Sequence, residues 1–149
     1  MQYVAIVTKE GTATLAEFPD CPGCQTFVRA GDGRGTIVEA AQEALEGWLE
    51  ATLLAGEGVP VPSAKARVPR GAHAVAIAVS PKLAIRIALR QARQLAKLTQ
   101  AQLAKRAGVS QQQIAKLEDP DSNPTLETLE KVARALDSRL EVSLVRCAG

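Results

Sequence analysis

Aromatic side chains are scarce: Tyr3, Phe18, Phe27 and Trp48 are the only four. A stacking platform for single-stranded nucleic acid needs successive rings, so that class is excluded. No apolar run approaches the roughly 18–20 residues of a membrane span, so no membrane is expected as a partner. Met1 to Lys9 lacks a basic stretch followed by an apolar one and gives no sign of a secretory signal. The three cysteines leave one odd, and their placement suggests no disulfide framework. A cytoplasmic location follows as the default. Hydrophobic residues are plentiful at 46%, enough for a packed core rather than disorder.

The net charge of +2 hides a division. Residues 1–64 carry three basic side chains (Lys9, Arg29, Arg34) and nine acidic ones, a net of −6. Residues 65–149 carry the remaining fifteen basic and seven acidic, a net of +8. Such asymmetry suggests two surfaces with different partners. The length suits one domain or two small ones.

Tyr3 to Val7 is a β-rich run ending at the Glu10-Gly11 turn, and Thr12 to Phe18 reads as a second strand, together a hairpin. Cys24 to Arg29 resumes as a third strand, followed by a loop containing Gly31, Gly33 and Gly35. From Thr36 the period changes. Ile37, Ala40, Ala41, Ala44, Leu45, Trp48, Leu49, Thr52 and Leu53 mark one face of a helix. Thr36 is its expected N-cap, with Glu39 as capping-box partner. Val59-Pro60-Val61-Pro62-Ser63 reads as extended. Ala74 to Val79 is an apolar run expected to form a buried strand. The order β-β-β-α-β makes a small α+β unit.

Ser80-Pro81 starts a helix with Leu83, Ile87 and Leu95 on its apolar face. Lys82, Arg86, Arg90, Arg93 and Lys97 form a basic stripe, either a solvated face or one that tracks phosphates. After Asn123-Pro124, Thr125 caps a helix with Leu126, Leu129, Val132, Ala133 and Leu136 inward. Leu140 to Val145 alternates and reads as a C-terminal strand, expected to pair between protomers.

The most informative stretch runs from Thr99 to Glu118. Thr99 caps a short helix over Gln100–Ala107, Gly108-Val109 makes a tight turn, and Ser110 caps a second helix over Gln111–Glu118. Two short helices across such a turn form a helix-turn-helix. Leu103, Ala104, Val109, Ile114 and Leu117 supply the contacts between them. A helical hairpin in a bundle would need no more than these. Gln111, Gln112, Gln113 and Lys116, however, face outward at the start of the second helix. A glutamine can donate to and accept from adenine in the major groove, and helix N-termini are where base edges are reached.

This stretch closely resembles the phage-repressor-like helix-turn-helix family, from about Ile85 to Leu136. The residues that carry it are Arg90 to Arg93, Leu103 to Ser110, Gln113 to Glu118 and Asn123 to Leu129. The resemblance implies that Gln111, Gln112 and Lys116 read bases, with Gln100 and Gln113 on phosphates and the caps Thr99 and Ser110 within the same DNA-binding set. The acidic Asp119-Pro120-Asp121-Ser122 departs from the Asn-Gly of many members.

In the N-terminal half, Phe18-Pro19-Asp20-Cys21-Pro22-Gly23-Cys24 looks like the strand-ending motif of HicB-type antitoxins. Val38 to Leu45 and Gly58 to Ser63 resemble that family in the same order. The resemblance implies a truncated ribonuclease-H-like fold. It also implies a basic HicA-type toxin, cleaving RNA, as the partner that is bound and blocked, and repression of the chain's own operon. The acidic Glu17, Asp20, Glu39 and Glu43 are the candidate toxin-binding residues, since complementary charge favours a basic partner.

Competing sites are weaker. Cys21-Pro22-Gly23-Cys24 lies between turn residues, not at the helix N-terminus that a redox pair wants. A zinc site would need two further ligands, and only His73 and Cys147 remain, without paired spacing. Two-metal hydrolysis needs clustered carboxylates, and the first strand brings none. The expectation is therefore a non-enzymatic, metal-free and cofactor-free antitoxin and autorepressor. Residues 1–79 form the toxin-binding domain. Residues 80–149 form an all-α helix-turn-helix domain, with the C-terminal strand, that binds double-stranded operator DNA as a homodimer or higher. The alternative is a stand-alone transcriptional regulator with a ligand-sensing N-terminal domain.

Overall fold

The computed structural model describes residues 1–63 and 65–146. The protein is α+β, with four strands and five helices among the described residues, and it divides into two compact units, Met1–Ile85 and Arg86–Gly149.

In the first unit, β1 (Gln2–Glu10), β2 (Ala13–Glu17), β3 (Gln25–Arg29) and β4 (Ala72–Ala78) form one antiparallel sheet in the order β3-β2-β1-β4. Helix α1 (Ile37–Leu54) lies between β3 and β4 in sequence. Side chains directly opposite in antiparallel strands share a face. Tyr3, Ala5 and Val7 thus share one face with Ile77, Val75 and His73, and Ala16 extends it on β2. Tyr3, Ala5, Val7, Ala16 and Ile77 are buried, as are Ala41, Leu45, Leu49 and Leu53 of α1. Each large apolar side chain buried there contributes about 1.5–3 kcal/mol.

Thr36 caps α1 as expected. Its hydroxyl accepts from the Glu39 N–H, while the Glu39 carboxylate accepts from the Thr36 N–H at 2.7 Å. That N–H holds the Glu39 carboxyl below its usual range. The extended Pro60–Ser63 stretch is fastened by two bonds. The Tyr3 hydroxyl donates to the Pro60 carbonyl at 2.7 Å, and the Ser63 N–H donates to the Asp20 carboxylate at 2.8 Å.

Strand β4 corrects the expectation of a buried strand. It lies at the sheet edge, and His73, Ala74, Ala76 and Ala78 are exposed. Alanine reads as apolar in a pattern but covers too little surface to demand burial.

In the second unit, the C-terminal part of α2 (Pro81–Leu95) is followed by α3 (Gln100–Ala107), α4 (Gln111–Leu117) and α5 (Leu126–Ala135). Ile87, Leu103, Ile114, Leu117, Leu129, Val132 and Leu136 form its core. Three expectations fail here. Leu95 and Leu126 are exposed, because each sits at a helix end where the neighbouring turn is missing. The basic stripe is not one surface: Arg86 is buried, and Arg93 is turned inward onto a carboxylate. Leu140–Val145 is not a strand. It has no ladder partner among the described residues, and Val142, Leu144 and Val145 are exposed.

Among the described residues, no helix is long and apolar enough to cross a membrane.

Candidate nucleic-acid interface

Three helix starts carry side-chain caps, and the first two, both reciprocal, set the geometry of the α3–turn–α4 motif. The Thr99 hydroxyl accepts from the Gln102 N–H at 3.1 Å, and the Gln102 side chain accepts from the Thr99 N–H at 2.9 Å. Ser110 and Gln113 repeat this exchange at 3.1 and 2.9 Å. Thr125 accepts from the Thr128 N–H at 3.2 Å. Each cap satisfies an N–H that the helix leaves without a partner, for about 1 kcal/mol.

Between the first two, Gly108 closes α3 with φ +68°, a left-handed conformation that side chains with a Cβ resist. The Val109 N–H then donates to the Ala104 carbonyl at 3.0 Å. Ala104, Leu103, Ile114 and Leu117 are buried in the angle between the helices.

Behind α4 sits a carboxylate that sequence reasoning passed over. Glu118, the C-cap of α4, accepts from both Arg93 Nε at 2.7 Å and Arg93 Nη2 at 3.0 Å. The pair is almost out of water, with side chains 14% and 13% exposed. Arg93 Nη1 donates to the Leu98 carbonyl at 3.0 Å, and the Gln100 side-chain amide donates to Glu118 Oε2 at 3.1 Å. The fork of a guanidinium on a carboxylate fixes angle as well as distance. One carboxylate therefore ties α2, α3 and the end of α4 together.

This geometry sorts the expected DNA-binding residues. Thr99 and Ser110 are caps. The Gln100 amide is held by Glu118, and the Gln113 carbonyl oxygen by the Ser110 N–H. The side chains of Gln111, Gln112 and Lys116 are exposed and make no hydrogen bond among the described residues. Gln112 and Lys116 are four apart and so share a face. A depression of about 190 Å³ lies beside them, lined by Gln113, Lys116, Asn123 and Thr125 among others. The acidic loop beyond α4 is folded on itself, the Asp119 carboxylate accepting from the Asp121 N–H at 2.8 Å.

The expected toxin-binding residues are not brought together. Thr26 borders a groove with Ala40 and Ala44, which puts the Ala16–Thr26 face toward α1. Glu17, one residue on, points away from α1. Asp20 is engaged by Ser63, Glu39 by its own cap, and Glu43 lies exposed on α1.

Cys21 and Cys24 are buried, and burial pushes the Cys21 thiol up to about 12 and that of Cys24 up to about 11. They close a turn in which the Cys24 N–H donates to the Cys21 carbonyl at 2.9 Å and the Phe18 N–H to the Cys24 carbonyl at 3.1 Å. A redox thiol needs the opposite shift. No cluster of three metal-ligating side chains occurs among the described residues. Cys147, weighed as a zinc ligand, lies outside them.

A helix-turn-helix family model matches residues 89–142. Antitoxin HicB 1 of Photorhabdus laumondii is 30% identical over 145 residues, which cover 97% of this chain and 87% of that protein. The chain belongs to the HicB antitoxin family. Antitoxin HigA1 of Mycobacterium tuberculosis is 47% identical to this HicB-family chain over 47 residues, 32% of each. A chain of a solved HicA3 and HicB3 toxin–antitoxin complex superposes with a TM-score of 0.46 at 24% identity, covering 54% of this chain and all of that one.

Proposed function

We propose that the protein neutralises a HicA-type, RNA-cleaving toxin and represses its own operon by binding double-stranded DNA through α4. The observation that carries the DNA reading is the division of labour among polar side chains. Gln100 and Gln113 are spent on holding the motif together, while Gln111, Gln112 and Lys116 stand outward and unengaged. Amides in that position suit adenine edges, and a lysine suits phosphate or guanine. Residues 80–149 carry this activity, and residues 1–79 carry the toxin contacts, with Glu17, Asp20, Glu39 and Glu43 as acidic candidates on separate parts of that unit. The three hairpin-linked strands, one helix and a fourth strand beside β1 support a truncated ribonuclease-H-like description of that part. No catalytic role is assigned. Helix-turn-helix proteins read half-sites about one turn, roughly 34 Å, apart, so the working form is a homodimer or higher.

The test is operator binding by the Gln111→Ala and Gln112→Ala proteins. Each lost base contact relaxes discrimination by about 1–3 kcal/mol. Neither change alters the salt dependence of binding, because neither removes a charge. Unchanged sequence preference in both would overturn the assignment. For the toxin reading, co-purification with the product of the neighbouring gene is the direct check.

A further inference from the structure

Residues 1–64 carry only three basic side chains, Lys9, Arg29 and Arg34, against nine acidic ones. The β1–β2–β3 meander brings all three to one end of the sheet. Lys9 is next to last in β1, Arg29 is last in β3, and Arg34 follows in the loop before α1. A cavity of about 490 Å³ opens there, lined by Lys9, Thr12, Arg29, Gly31 and Gly33 among others. Arg34 and Glu43 line a neighbouring groove. None of the three cations meets a carboxylate at ion-pair distance among the described residues. The guanidinium carbons of Arg29 and Arg34 lie 5.4 and 5.9 Å from the centre of the Phe27 ring, a contact with a π face rather than with an acceptor oxygen. The carboxylates beside the loop are taken up by its backbone. Asp32 accepts from the Arg29 and Arg34 N–H groups at 2.9 and 3.1 Å, and Glu39 accepts from the Thr36 N–H at 2.7 Å. The loop also supplies donors. Gly31, Gly33 and Gly35 have φ of +88°, +70° and +76°, and Asp32 and Arg34 between them have negative φ. Alternating handedness of this kind turns successive N–H groups into an anion-binding concavity. The Gly31 and Gly33 N–H groups donate no hydrogen bond among the described residues. A Cβ at either would meet nothing within 4 Å, so both are open to a ligand.

We propose that this end of the sheet binds a polyphosphate chain, either free or as the tail of a nucleotide. Guanidinium forks and glycine N–H groups both suit phosphoryl oxygens. The placing of the cations favours a chain over a single phosphate. Lys9 shares the α1 face of the sheet with Thr14 and Val28, whereas Arg29 stands on the opposite face. The two flank the glycine loop from either side and reach different parts of one extended anion. The cavity lies within the roughly 300–1,000 Å³ of small-molecule sites. Acidic side chains predominate over the rest of residues 1–64, so within this unit a polyanion is steered to the one corner where the cations gather. The proposal rests on neither the toxin reading nor the operator reading.

The experiment is an amide-resolved NMR titration of the full-length chain with inorganic triphosphate, then with ATP, both without divalent cations and at physiological ionic strength. The readout must be resolved by site, because the basic second unit also attracts polyanions. The Gly31 and Gly33 amide signals are expected to shift saturably. Equal affinity for the two titrants assigns the ligand as the free chain, and tighter binding of ATP assigns it as a nucleotide; either supports the site. The Arg29→Gln/Arg34→Gln protein is expected to bind at least about tenfold more weakly. The Lys82→Gln/Lys105→Gln protein loses the same charge at exposed positions outside the site and should bind as the wild type does. Lys9→Gln, at an exposed strand position, weakens binding without disturbing Phe27 and so repeats the test should the arginine variant misfold. Gly31 and Gly33 signals that stay in place while those of α3–α5 move would overturn the proposal by assigning the anion to the second unit. Equal losses in the two double variants would overturn it by marking bare charge attraction, as would unchanged binding in Lys9→Gln and Arg29→Gln/Arg34→Gln alike.

Discussion

Changing Glu118 to Met tests the role given to the buried carboxylate. In the native chain Glu118 takes two hydrogen bonds from Arg93 and one from Gln100, at 2.7, 3.0 and 3.1 Å. Without it, Arg93 keeps the Leu98 carbonyl and little else, in a site where its side chain is 14% exposed. Stranding a fully buried charge costs about 3–5 kcal/mol, and breaking an exposed pair costs at most about 1 kcal/mol. The near-complete burial places this case at about 2–3 kcal/mol. For a unit of this size each kcal/mol moves the melting temperature by roughly 4–8 °C, so a fall of about 10–20 °C is expected. Thermal unfolding followed by helix circular dichroism measures that fall, and urea unfolding measures the free-energy loss. The companion changes are Arg93→Met and the double substitution. Once both charges are gone no orphan remains, so the double variant should be more stable than Glu118→Met alone, with a coupling of about 1–3 kcal/mol. Strict additivity of the two single changes, or a Glu118→Met protein within about 0.5 kcal/mol of wild type, would refute the reasoning.

Two further outcomes follow from the backbone and from titration. Lys97 sits after α2 with φ 54°, a conformation that costs a side chain about 1–2 kcal/mol and that glycine adopts freely. Lys97→Gly is therefore expected to stabilise the chain by about 0.5–1 kcal/mol after the glycine's own entropy cost, and lower stability in urea would contradict it. Cys21, Cys24 and Tyr3 are raised by burial from 9.0, 9.0 and 10.0 to about 12, 11 and 12. The unfolded chain therefore releases these protons first, so the first unit is fully stable below about pH 9 and loses stability as pH rises through 11–12. Trp48 fluorescence during urea unfolding at successive pH values follows this loss, and a flat profile would contradict it. The same burial makes both thiols inert to alkylating reagents at neutral pH until the unit unfolds.

Features fixed by neighbours in sequence were legible. The Thr36–Glu39 box and the caps Thr99, Ser110 and Thr125 depend on residues three apart, and Gly108 marks its own left-handed turn. What was misread depends on distant partners. The β4 run looked internal because edge or centre is decided by which strands flank it, not by its own composition. Alternation in Leu140–Val145 describes what a strand would look like without supplying the ladder that would make one. Arg93 and Glu118 are 25 residues apart, a spacing with no periodic meaning, so a buried fork was read as part of a surface stripe. Leu126 fits the period of α5 but precedes the turn that would cover it. At the candidate site, periodicity found the exposed face of α4 but gave no means of separating Gln113, engaged in a cap, from Gln111 and Gln112.

The outward side chains of α4 share no bond with the side chains that hold the motif together, so the two sets can change independently. On the proposed reading of α4, substitutions at Gln111, Gln112 and Lys116 retune operator choice without loosening the Arg93–Glu118–Gln100 anchor. Two sister regulators in one cell would then lose cross-talk through a few surface changes, none of which costs folding stability.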